Sequence, residues 1–490
     1  MAQSRREFLL HSGCGALSAS ALLSGLGRFA LIDALAQSKT PADYKALVCV
    51  FLFGGNDANN VVIPDTNYAA YEAYRNLVTG DPHFAQFAVP HDALAQIAPP
   101  STPGVTFGLH PKLSETNGSG NPTLHSLFNS GRAAIVCNTG PLIKPLTRDE
   151  YRANMFRPYQ LFSHSDQQNL WQTAYATRPK QTGWGGSTSD RLGSGGTFPA
   201  ISSIAGVTVF STGQNTRPLV LAPAPTPLNG TLKLFKPGDD QAILDALMAD
   251  GQATMPELIK GASQITQNAL DASRALSVNP TLGTTFPNTG LGNQLLQAAK
   301  LISLNQQLGV NRQIFFTSMG GFDTHTGQGG YNTNNGQAGL LLQLSQAIGA
   351  FYNAMVELGL SDRVTLFTSS DFSRTLTPGG GNTGTDHAWG SHQFVVGDAV
   401  LGGDFYGQYP SLIVGDDQDT DNGTGARGRW IPTTSVDQYA ATLADWYGLR
   451  PEDRPIVFQN LINFTPSILG FMGGSGAAPR GTNLSASRRG

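Results

Sequence analysis

Four stretches of the chain consist of uninterrupted apolar residues that give way to glycine, serine or aspartate. They are ALVCVFLFGGNDANN (46–60), RAAIVCNTG (132–140), QIFFTSMGG (313–321) and RVTLFTSSD (363–371). Continuous apolar runs are typical of strands that are buried on both faces of a parallel sheet. Ligands of open α/β sheets gather at the carboxyl ends of such strands, so the polar residues after each run are candidate site residues.

Helical periodicity lies between and after these runs. In residues 336–360, apolar side chains recur every three or four positions, which predicts a long helix with one face packed on the sheet. Residues 291–309 and 435–449 show similar spacing, and residues 239–250 begin with aspartates that suit a helix start. The combined pattern predicts an α/β fold in which helices flank a largely parallel sheet.

The middle of the chain lacks a clear period. Residues 190–235 hold short β-like pieces among proline, glycine and threonine, which predicts an irregular cap or an antiparallel insert. Residues 236–310 are mostly helical in pattern, so the whole helical or irregular insert is predicted over about 190–310. The tail over 476–490 has little apolar content and is predicted to be disordered.

The N-terminus has the layout of a twin-arginine export signal. Arg5 and Arg6 precede a weakly apolar stretch that ends in Ala34-Leu35-Ala36, a small-x-small cleavage site, so the predicted signal covers 1–36. A cytoplasmic N-terminal helix is the alternative. Arg28 interrupts the apolar part, which makes it a poor transmembrane span. We expect a periplasmic or secreted protein without a stable membrane span, with the twin-arginine export machinery as a partner.

Composition narrows the picture further. The net charge is −3, only 13% of residues are charged, and the chain holds 58 glycines. These values predict one large domain over 37–475 with long ordered loops, and no basic field for nucleic acid. Cys49 and Cys137 lie inside apolar runs, so buried thiols are favoured over a disulfide, although an exported protein could form one.

Acidic and histidine residues concentrate in four polar segments, three of which begin at predicted strand ends. They are Asp57, Asp323, His325, Asp371, Asp386, His387 and His392. Mixed Asp and His ligation suits Zn²⁺ or Mn²⁺, and carboxylate-rich positions tolerate Mg²⁺ or Ca²⁺. Two such ions could clamp a phosphoryl or sulfuryl oxygen and activate a nucleophile. Each residue taken singly also fits a turn former, a helix cap or a hydrogen-bonded loop residue.

A further stretch, YQLFSHSDQQNLWQTA (159–174), reads as the start of a helix. Ser163 could cap this helix or, facing a metal ion, serve as a nucleophile; the cap is the simpler reading. His164 is then an acid/base candidate. Arg374 could bind an anionic oxygen bidentately, or it could form a surface salt bridge.

Nine segments along the mature chain resemble an uncharacterised family of twin-arginine-exported bacterial proteins, a domain of unknown function. That family is related in fold to the alkaline phosphatase and sulfatase superfamily. The segments are FLFGGNDANNVVIP, LHPKL, FSHSDQQNLWQT, TGWGG, GGFDTHTGQ, VTLFTSSDFSRT, GTDHAWGSHQFVVG, GGDFYGQYP and GRWIPTTSVDQYAATLADWYG. The resemblance implies an alkaline-phosphatase-like sandwich with a largely parallel central sheet flanked by helices.

The resemblance also implies roles for the polar residues. Asp57 and Asp371 would hold one divalent ion, and Ser163 would be the nucleophile. A second group would hold the other ion: Asp323, His325 and His387, with His392 as a further candidate.

The chain departs from the superfamily pattern in two places. Phe372 stands where a metal-binding histidine is expected, which favours one ion over two. The segment SHSDQQ lacks the proline and arginine of the C/S-x-P-x-R sulfatase motif, which disfavours a sulfatase of the usual kind.

Two hypotheses follow from these residues. The first is an exported hydrolase-like enzyme that uses Zn, Mn or Mg to cleave a phosphate or sulfate ester of a small molecule or polymer. The second is a non-catalytic exported binding or assembly module with an eroded metal site.

Overall fold

The computed structural model describes residues 43–76, 87–196, 198–231, 272, 274–379 and 384–473. The predicted export signal, the helix predicted over 239–250 and the tail over 476–490 lie outside the described residues. Within the described residues, each helix is too short or too polar to cross a membrane.

The described residues form a mixture of strands, α-helices and short 3₁₀ turns. The strands are β1 (Lys45–Leu52), β2 (Val62–Pro64), β3 (Ala95–Ile97), β4 (Phe107–Leu109), β5 (Ala133–Gly140), β6 (Ile201–Ser203), β7 (Leu219–Val220), β8 (Arg312–Met319), β9 (Val364–Ser370), β10 (Ser391–Val396), β11 (Phe405–Tyr406) and β12 (Thr434–Ser435). The α-helices are α1 (Tyr68–Arg75), α2 (Leu124–Asn129), α3 (Arg148–Arg152), α4 (His164–Thr173), α5 (Trp184–Leu192), α6 (Leu228–Thr231), α7 (Gly290–Ser303), α8 (Gly336–Glu357), α9 (Val436–Tyr447) and α10 (Arg454–Val457). Short 3₁₀ turns cover Ala58–Asn60, His91–Ala93, Pro111–Leu113, Gly423–Gly425, Pro451–Asp453 and Leu461–Asn463.

A nine-stranded sheet forms the centre of the fold. Its order is β11–β5–β10–β9–β1–β8–β6–β7, and β12 also pairs with β5. Neighbouring strands run parallel except at β10, which is antiparallel to both β5 and β9. The four predicted apolar runs form β1, β5, β8 and β9, which confirms the mixed α/β fold with a mostly parallel central sheet.

Both faces of the sheet are covered, as the uninterrupted apolar runs predict. In β1, Val48 and Val50 belong to the core that contains α7 and α8. Leu47 and Phe51 belong to the opposite core, with α4, α5 and α9. Since successive side chains of a strand point to opposite faces, a strand between two helical layers is buried on both faces and is largely apolar. The three helices predicted from periodicity and described here form α7, α8 and α9.

The two cysteines retained after the predicted cleavage site follow the same rule. Cys49 on β1 and Cys137 on β5 are both buried free thiols. This confirms the prediction of buried thiols over a disulfide. Burial raises the pKa of each thiol well above its usual value, so neither is a reactive thiolate.

In the described part of the region 190–235, which is 190–196 and 198–231, the strands are not arranged as an antiparallel insert. Its strand β6 pairs in parallel with β8, and β7 pairs in parallel with β6, so both extend the central sheet. These strands are three and two residues long. Such short strands carry too few residues for a period to show their direction or partner.

The order of the strands gathers four polar loops at one edge of the sheet. Leu52 at the end of β1 is paired with Met319 of β8 and with Ser370 of β9, so these three strands end side by side. Because β10 runs the opposite way, its first residue, Ser391, lies near the same edge. The loop that precedes β10 therefore meets the loops that follow β1, β8 and β9.

Candidate metal centre

Three histidines and one aspartate converge at this edge: His164, Asp323, His325 and His387. Each offers one ligand atom, and these atoms lie within 4.8 Å of one another. The Oδ1 atom of Asp323 is 3.5, 3.2 and 3.8 Å from the Nε2 atoms of His164, His325 and His387. Ligands about 2.0–2.1 Å from a tetrahedral zinc ion lie roughly 3.3–3.4 Å apart, so the cluster has the dimensions of a metal shell.

Local structure explains how two ligands come from one short segment. Asp323 and His325 follow β8 and are both exposed, whereas Thr324 between them is 5% exposed. This alternation of exposed, buried and exposed residues shows that the side chains of Asp323 and His325 both face solvent. The spacing of two residues therefore places two ligands on one side of the segment, and His164 and His387 complete the cluster from α4 and the loop before β10.

The outer nitrogens of two of the three imidazoles are hydrogen-bonded, and that of the third lies near a carboxylate. His164 Nδ1 donates to Asp371 Oδ2 at 2.7 Å, and His387 Nδ1 donates to the Phe162 carbonyl oxygen at 2.7 Å. His325 Nδ1 lies 3.7 Å from Asp386 Oδ1. Metal-binding histidines usually have such outer partners, because these fix the ring and its tautomer.

The Nε2 atoms of the three histidines, which face the centre of the cluster, are better satisfied by a cation than by hydrogen bonds to one another. A carbonyl oxygen can only accept, so neutral His387 presents a lone pair at Nε2. That atom lies 2.8 Å from Nε2 of His325. His164 Nε2 is buried and lacks a hydrogen-bond partner among the described residues. A divalent ion would satisfy all three nitrogens at once, so the residues present fit a metal.

The pKa values of His387 and Asp323 suit ligation by neutral imidazole and ionised carboxylate. Burial lowers the pKa of His387 to about 4, so this ring is neutral at neutral pH. Burial acts to raise the pKa of Asp323, but Arg374 and the three nearby histidines outweigh it and lower that pKa. The hydrogen bond to Asp371 raises the pKa of His164, because the carboxylate favours the protonated ring.

Arg374 lies beneath the cluster and is fully buried. Its Nη2 atom is 3.2 Å from Asp323 Oδ1 and donates to the Thr385 carbonyl oxygen at 2.9 Å. Arg374 therefore forms an ion pair, but the side chain is buried and does not lie at the surface as the alternative interpretation of the sequence expects. The guanidinium instead pairs with Asp323, one of the candidate ligands, and so helps to fix its position. Its other contacts are to the hydroxyl and carbonyl oxygens of Thr385 and to the carbonyl oxygen of Gly54.

Gly54 links the two carboxylates that flank the end of β1. Its amide donates to Asp371 Oδ2 at 3.2 Å. A Cβ atom at this position would lie 2.3 Å from the Asp323 backbone nitrogen, and its φ of +111° is one that only glycine adopts readily. The backbone can therefore pass between Asp371 and Asp323 only because residue 54 has no side chain.

Asp57 and Asp371 are not arranged as two ligands of one ion. Asp57 forms a buried ion pair with Arg75, and Gln328 Nε2 donates to its Oδ2 atom at 2.6 Å. Asp371 instead holds His164. The two carboxylates therefore have separate partners in the structure, and the prediction that they hold one ion together stays a prediction.

His392 lies apart from the cluster, within β10. Its Nδ1 atom accepts from the Asn138 amide at 3.1 Å, and its ring stacks on Tyr409 with centroids 5.1 Å apart. Burial lowers the pKa of His392 to about 3, as expected for a neutral core histidine. The sequence could not distinguish His387 from His392 because both flank the start of one strand.

Ser163 stands at the N-cap position of α4, as the cap reading predicts, but its side chain makes no cap hydrogen bond. Its Oγ donates to Asp166 Oδ2 at 2.6 Å. His164, predicted as an acid or base, is one of the four clustered residues. His164 and Gln168 are four residues apart, so they lie on the same face of α4. The side-chain amide of Gln168 also donates to Asp371 Oδ2, at 2.9 Å.

Phe372 packs on the cluster instead of joining it. Its ring centroid is 4.7 Å from that of His164 and 4.6 Å from that of His387. An apolar ring at this position limits the rotation of both imidazoles. The residue that breaks the superfamily pattern therefore helps to fix two of the candidate ligands.

The fold and the site define an α/β protein with a candidate His₃Asp metal centre at the carboxyl edge of its sheet. Residues 44–421 match the family described as "Protein of unknown function (DUF1501)", and the chain belongs to that family. A comparison with curated proteins gives no match. The chain is similar to a solved structure titled "Crystal structure of PsFucS1 sulfatase from Pseudoalteromonas sp.", at 11% identity and a TM-score of 0.31, covering 92% of this chain and 74% of that one.

Proposed function

We propose that this protein is an exported, divalent-metal-dependent hydrolase that cleaves a phosphate or sulfate ester. The observation that supports this most is the convergence of three imidazole nitrogens and one carboxylate oxygen at one exposed edge of the sheet. Export by the twin-arginine route to the periplasm or beyond remains part of the proposal, based on the residues of 1–36 alone.

Zn²⁺ is the proposed ion, with Mn²⁺ as the next candidate. Three nitrogen ligands and one oxygen ligand suit Zn²⁺, which is a borderline ion, better than Mn²⁺, which is harder, whereas Mg²⁺ prefers oxygen ligands and an octahedral shell. A bound divalent ion would supply Lewis acidity to a phosphoryl or sulfuryl oxygen. The side chains of Asp323 and His325 are 49% and 46% exposed, so an ester can reach the centre from solvent.

The candidate nucleophile is the hydroxyl of Ser163. It precedes the ligand His164 directly, and its hydrogen bond to Asp166 gives its proton a carboxylate acceptor. Attack by this oxygen would form a bond to phosphorus or sulfur and break the bond to the alkoxide. The proton accepted by Asp166 would pass to the alkoxide, which leaves as the alcohol, and water would then cleave the seryl ester to restore Ser163 and release phosphate or sulfate. Ser165 offers a matched control, because it is a neighbouring hydroxyl whose Oγ lies 3.4 Å from that of Ser163.

The proposal is tested by turnover of p-nitrophenyl phosphate and p-nitrophenyl sulfate. Protein stripped of metal and then supplied with Zn²⁺, Mn²⁺ or Mg²⁺ is assayed beside Ser163→Ala and Ser165→Ala. We expect turnover that needs Zn²⁺ or Mn²⁺, is lost in Ser163→Ala and is kept in Ser165→Ala. Turnover that is equal with and without metal would refute the hydrolase proposal.

A specific observation favours the second candidate, a binding or assembly module. Four protein ligands complete a tetrahedral shell, as in structural zinc sites, whereas catalytic sites usually keep a position for water or substrate. Such a module would bind zinc stoichiometrically and lose thermal stability on its removal, yet would turn over neither ester. Exchange of zinc for Co²⁺ distinguishes the two, because a site with an open position changes its visible spectrum when sulfate or phosphate is added.

A further inference from the structure

A groove of about 570 Å³ adjoins the metal centre. Its volume lies within the range of small-molecule sites, roughly 300–1,000 Å³. Phe162 lines the groove, and the carbonyl of the same residue accepts from His387 Nδ1 at 2.7 Å. One wall of the groove and one candidate metal ligand therefore share a residue.

The groove combines aromatic rings with amide and hydroxyl groups. The lining residues that matter here are Tyr151, Asn154, Phe156, Arg157, Gln160 and Thr177. The side chain of Phe156 is 44% exposed, so part of its ring is open to a ligand in the groove. Aromatic rings beside a few polar groups suit a ligand that has both C–H faces and hydroxyl groups.

Charge in the groove is complementary to an anion. The Lys144 ammonium lies 4.0 Å from the Phe156 ring but is paired with Glu150 at 2.8 Å. The Arg157 guanidinium lies 4.0 Å from the Tyr151 ring. Among the described residues, Arg157 has no carboxylate within ion-pair distance, so it leaves the groove with an uncompensated positive charge.

The backbone that shapes the groove is held in costly conformations. Asn154, Phe156, Gln160 and Phe162 all have positive φ, between 43° and 70°. Each left-handed residue that is not glycine costs about 1–2 kcal/mol. Strain of this kind clusters at ligand sites, where the surrounding structure holds a particular shape.

We infer that this groove binds the sugar ring of a carbohydrate that carries a sulfate or phosphate ester, and that it directs this ester to the metal centre. The inference rests on the proposed function for the fate of the ester, but binding itself does not depend on turnover. Stacking on Phe156 and hydrogen bonds to the Asn154 and Gln160 amides recognise the ring. The Arg157 guanidinium attracts the anionic group.

Calorimetric titration of zinc-loaded protein tests this inference. The probes are the 6-sulfates and 6-phosphates of glucose, galactose and N-acetylglucosamine, the three parent sugars, and adenosine monophosphate. We expect at least one charged sugar to bind more tightly than its parent sugar. The sulfate and phosphate arms then show which ester is preferred.

Two pairs of variants make the test specific to the groove. Phe156→Ala and Arg157→Ala are each expected to weaken binding about five- to tenfold without loss of zinc, since each removes one stacking or charge contact. Met155→Ala and Arg152→Ala are the controls, because both are exposed neighbours that do not line the groove. We expect these controls to bind as the wild type does.

The outcomes separate this inference from the proposed function. Binding that is weakened in the Phe156 and Arg157 variants, and not in the controls, supports the inference even if neither ester is hydrolysed. Metal-dependent hydrolysis of one of the sugar 6-sulfates or 6-phosphates, with a KM that is unchanged in both variants, would overturn the inference. The proposed hydrolase function would still stand. Binding of adenosine monophosphate alone, or of none of the probes, would also overturn it.

Discussion

The Nδ1 atom of His164 lies 2.7 Å from the Oδ2 atom of Asp371. Asp371 is fully buried at the end of β9, and His164 is the first residue of α4. The sequence suggested Asp371 as a metal ligand. In the folded chain it acts one step further out, by orienting a histidine whose other nitrogen faces the candidate ion.

We therefore predict that Asp371→Asn weakens zinc binding without abolishing it. Asparagine keeps an acceptor for the His164 N–H but loses the charge that makes the ring more basic, and such outer-partner changes weaken metal binding by about 10- to 100-fold. Competition with a zinc chelator measures the affinity. Asp362→Asn is the control, because Asp362 lies just before the start of β9, at the opposite edge of the sheet. This variant should bind zinc as the wild type does.

Gly54→Ala should disturb the site through the backbone. A Cβ at this position would lie 2.3 Å from the Asp323 nitrogen, so that segment must shift and zinc affinity should fall. Gly104→Ala is the matched control, because Gly104 also has positive φ but has open space around it. We expect it to cost about 1–2 kcal/mol of stability from strain alone. Equal zinc affinity in both variants would contradict this reading of Gly54.

The buried pair of Asp57 and Arg75 is predicted to stabilise the fold and not to bind metal. Arg75→Met leaves a carboxylate buried without its cation, which typically costs about 3–5 kcal/mol of unfolding free energy. Urea unfolding measures this loss, and Glu72→Gln on the exposed face of the same helix is the control. Zinc content should not change in either variant. A loss of zinc in Arg75→Met protein that remains folded would show that Asp57 is coupled to the metal centre.

Stability should depend on pH through Asp437. Burial raises the pKa of this carboxyl to about 8, whereas an unfolded aspartate has a pKa of about 3.9. Between these values the folded chain holds a proton that the unfolded chain releases, so this contribution to stability is full at low pH and is lost as the pH rises towards 8. The slope is at most about 1.4 kcal/mol per pH unit.

Asp437→Asn removes this titration and keeps an acceptor for the Asn460 amide, which is 3.2 Å from Oδ1. Urea midpoints of wild type and variant are compared between roughly pH 5 and pH 8. We expect the midpoint of the variant to fall less over this interval. Parallel midpoints across the whole interval would show that Asp437 is ionised in the folded chain.

Much of the fold could be predicted because the apolar runs that form its main strands and helices are visible in short stretches of sequence. The strands β1, β5, β8 and β9 are buried at nearly every position and carry apolar runs, since helices cover both faces of the sheet. The direction of β6 could not be predicted, because three residues carry no usable period. Its partner β8 is more than a hundred residues later in the chain.

The candidate site was predictable in its residue types and less so in their roles. Asp323, His325 and His387 were expected together because each lies near a strand end. The role of Asp57 depends on Arg75, whose position is set by the packing of a separate helix. The role of His387 depends on the backbone carbonyl of Phe162, and a backbone acceptor leaves no trace in residue identity.

The most direct test of the central claim is the zinc content of two matched variants, measured by mass spectrometry after gel filtration without chelator. Asparagine replaces the imidazole in both His387→Asn and His392→Asn. Its amide can donate to the Phe162 carbonyl as His387 Nδ1 does, and it can accept from the Asn138 amide as His392 Nδ1 does. The four-residue centre predicts about one zinc ion per chain in the wild type and in His392→Asn, and little in His387→Asn. Zinc that is retained in His387→Asn and lost in His392→Asn, or a wild type that binds none, would contradict it.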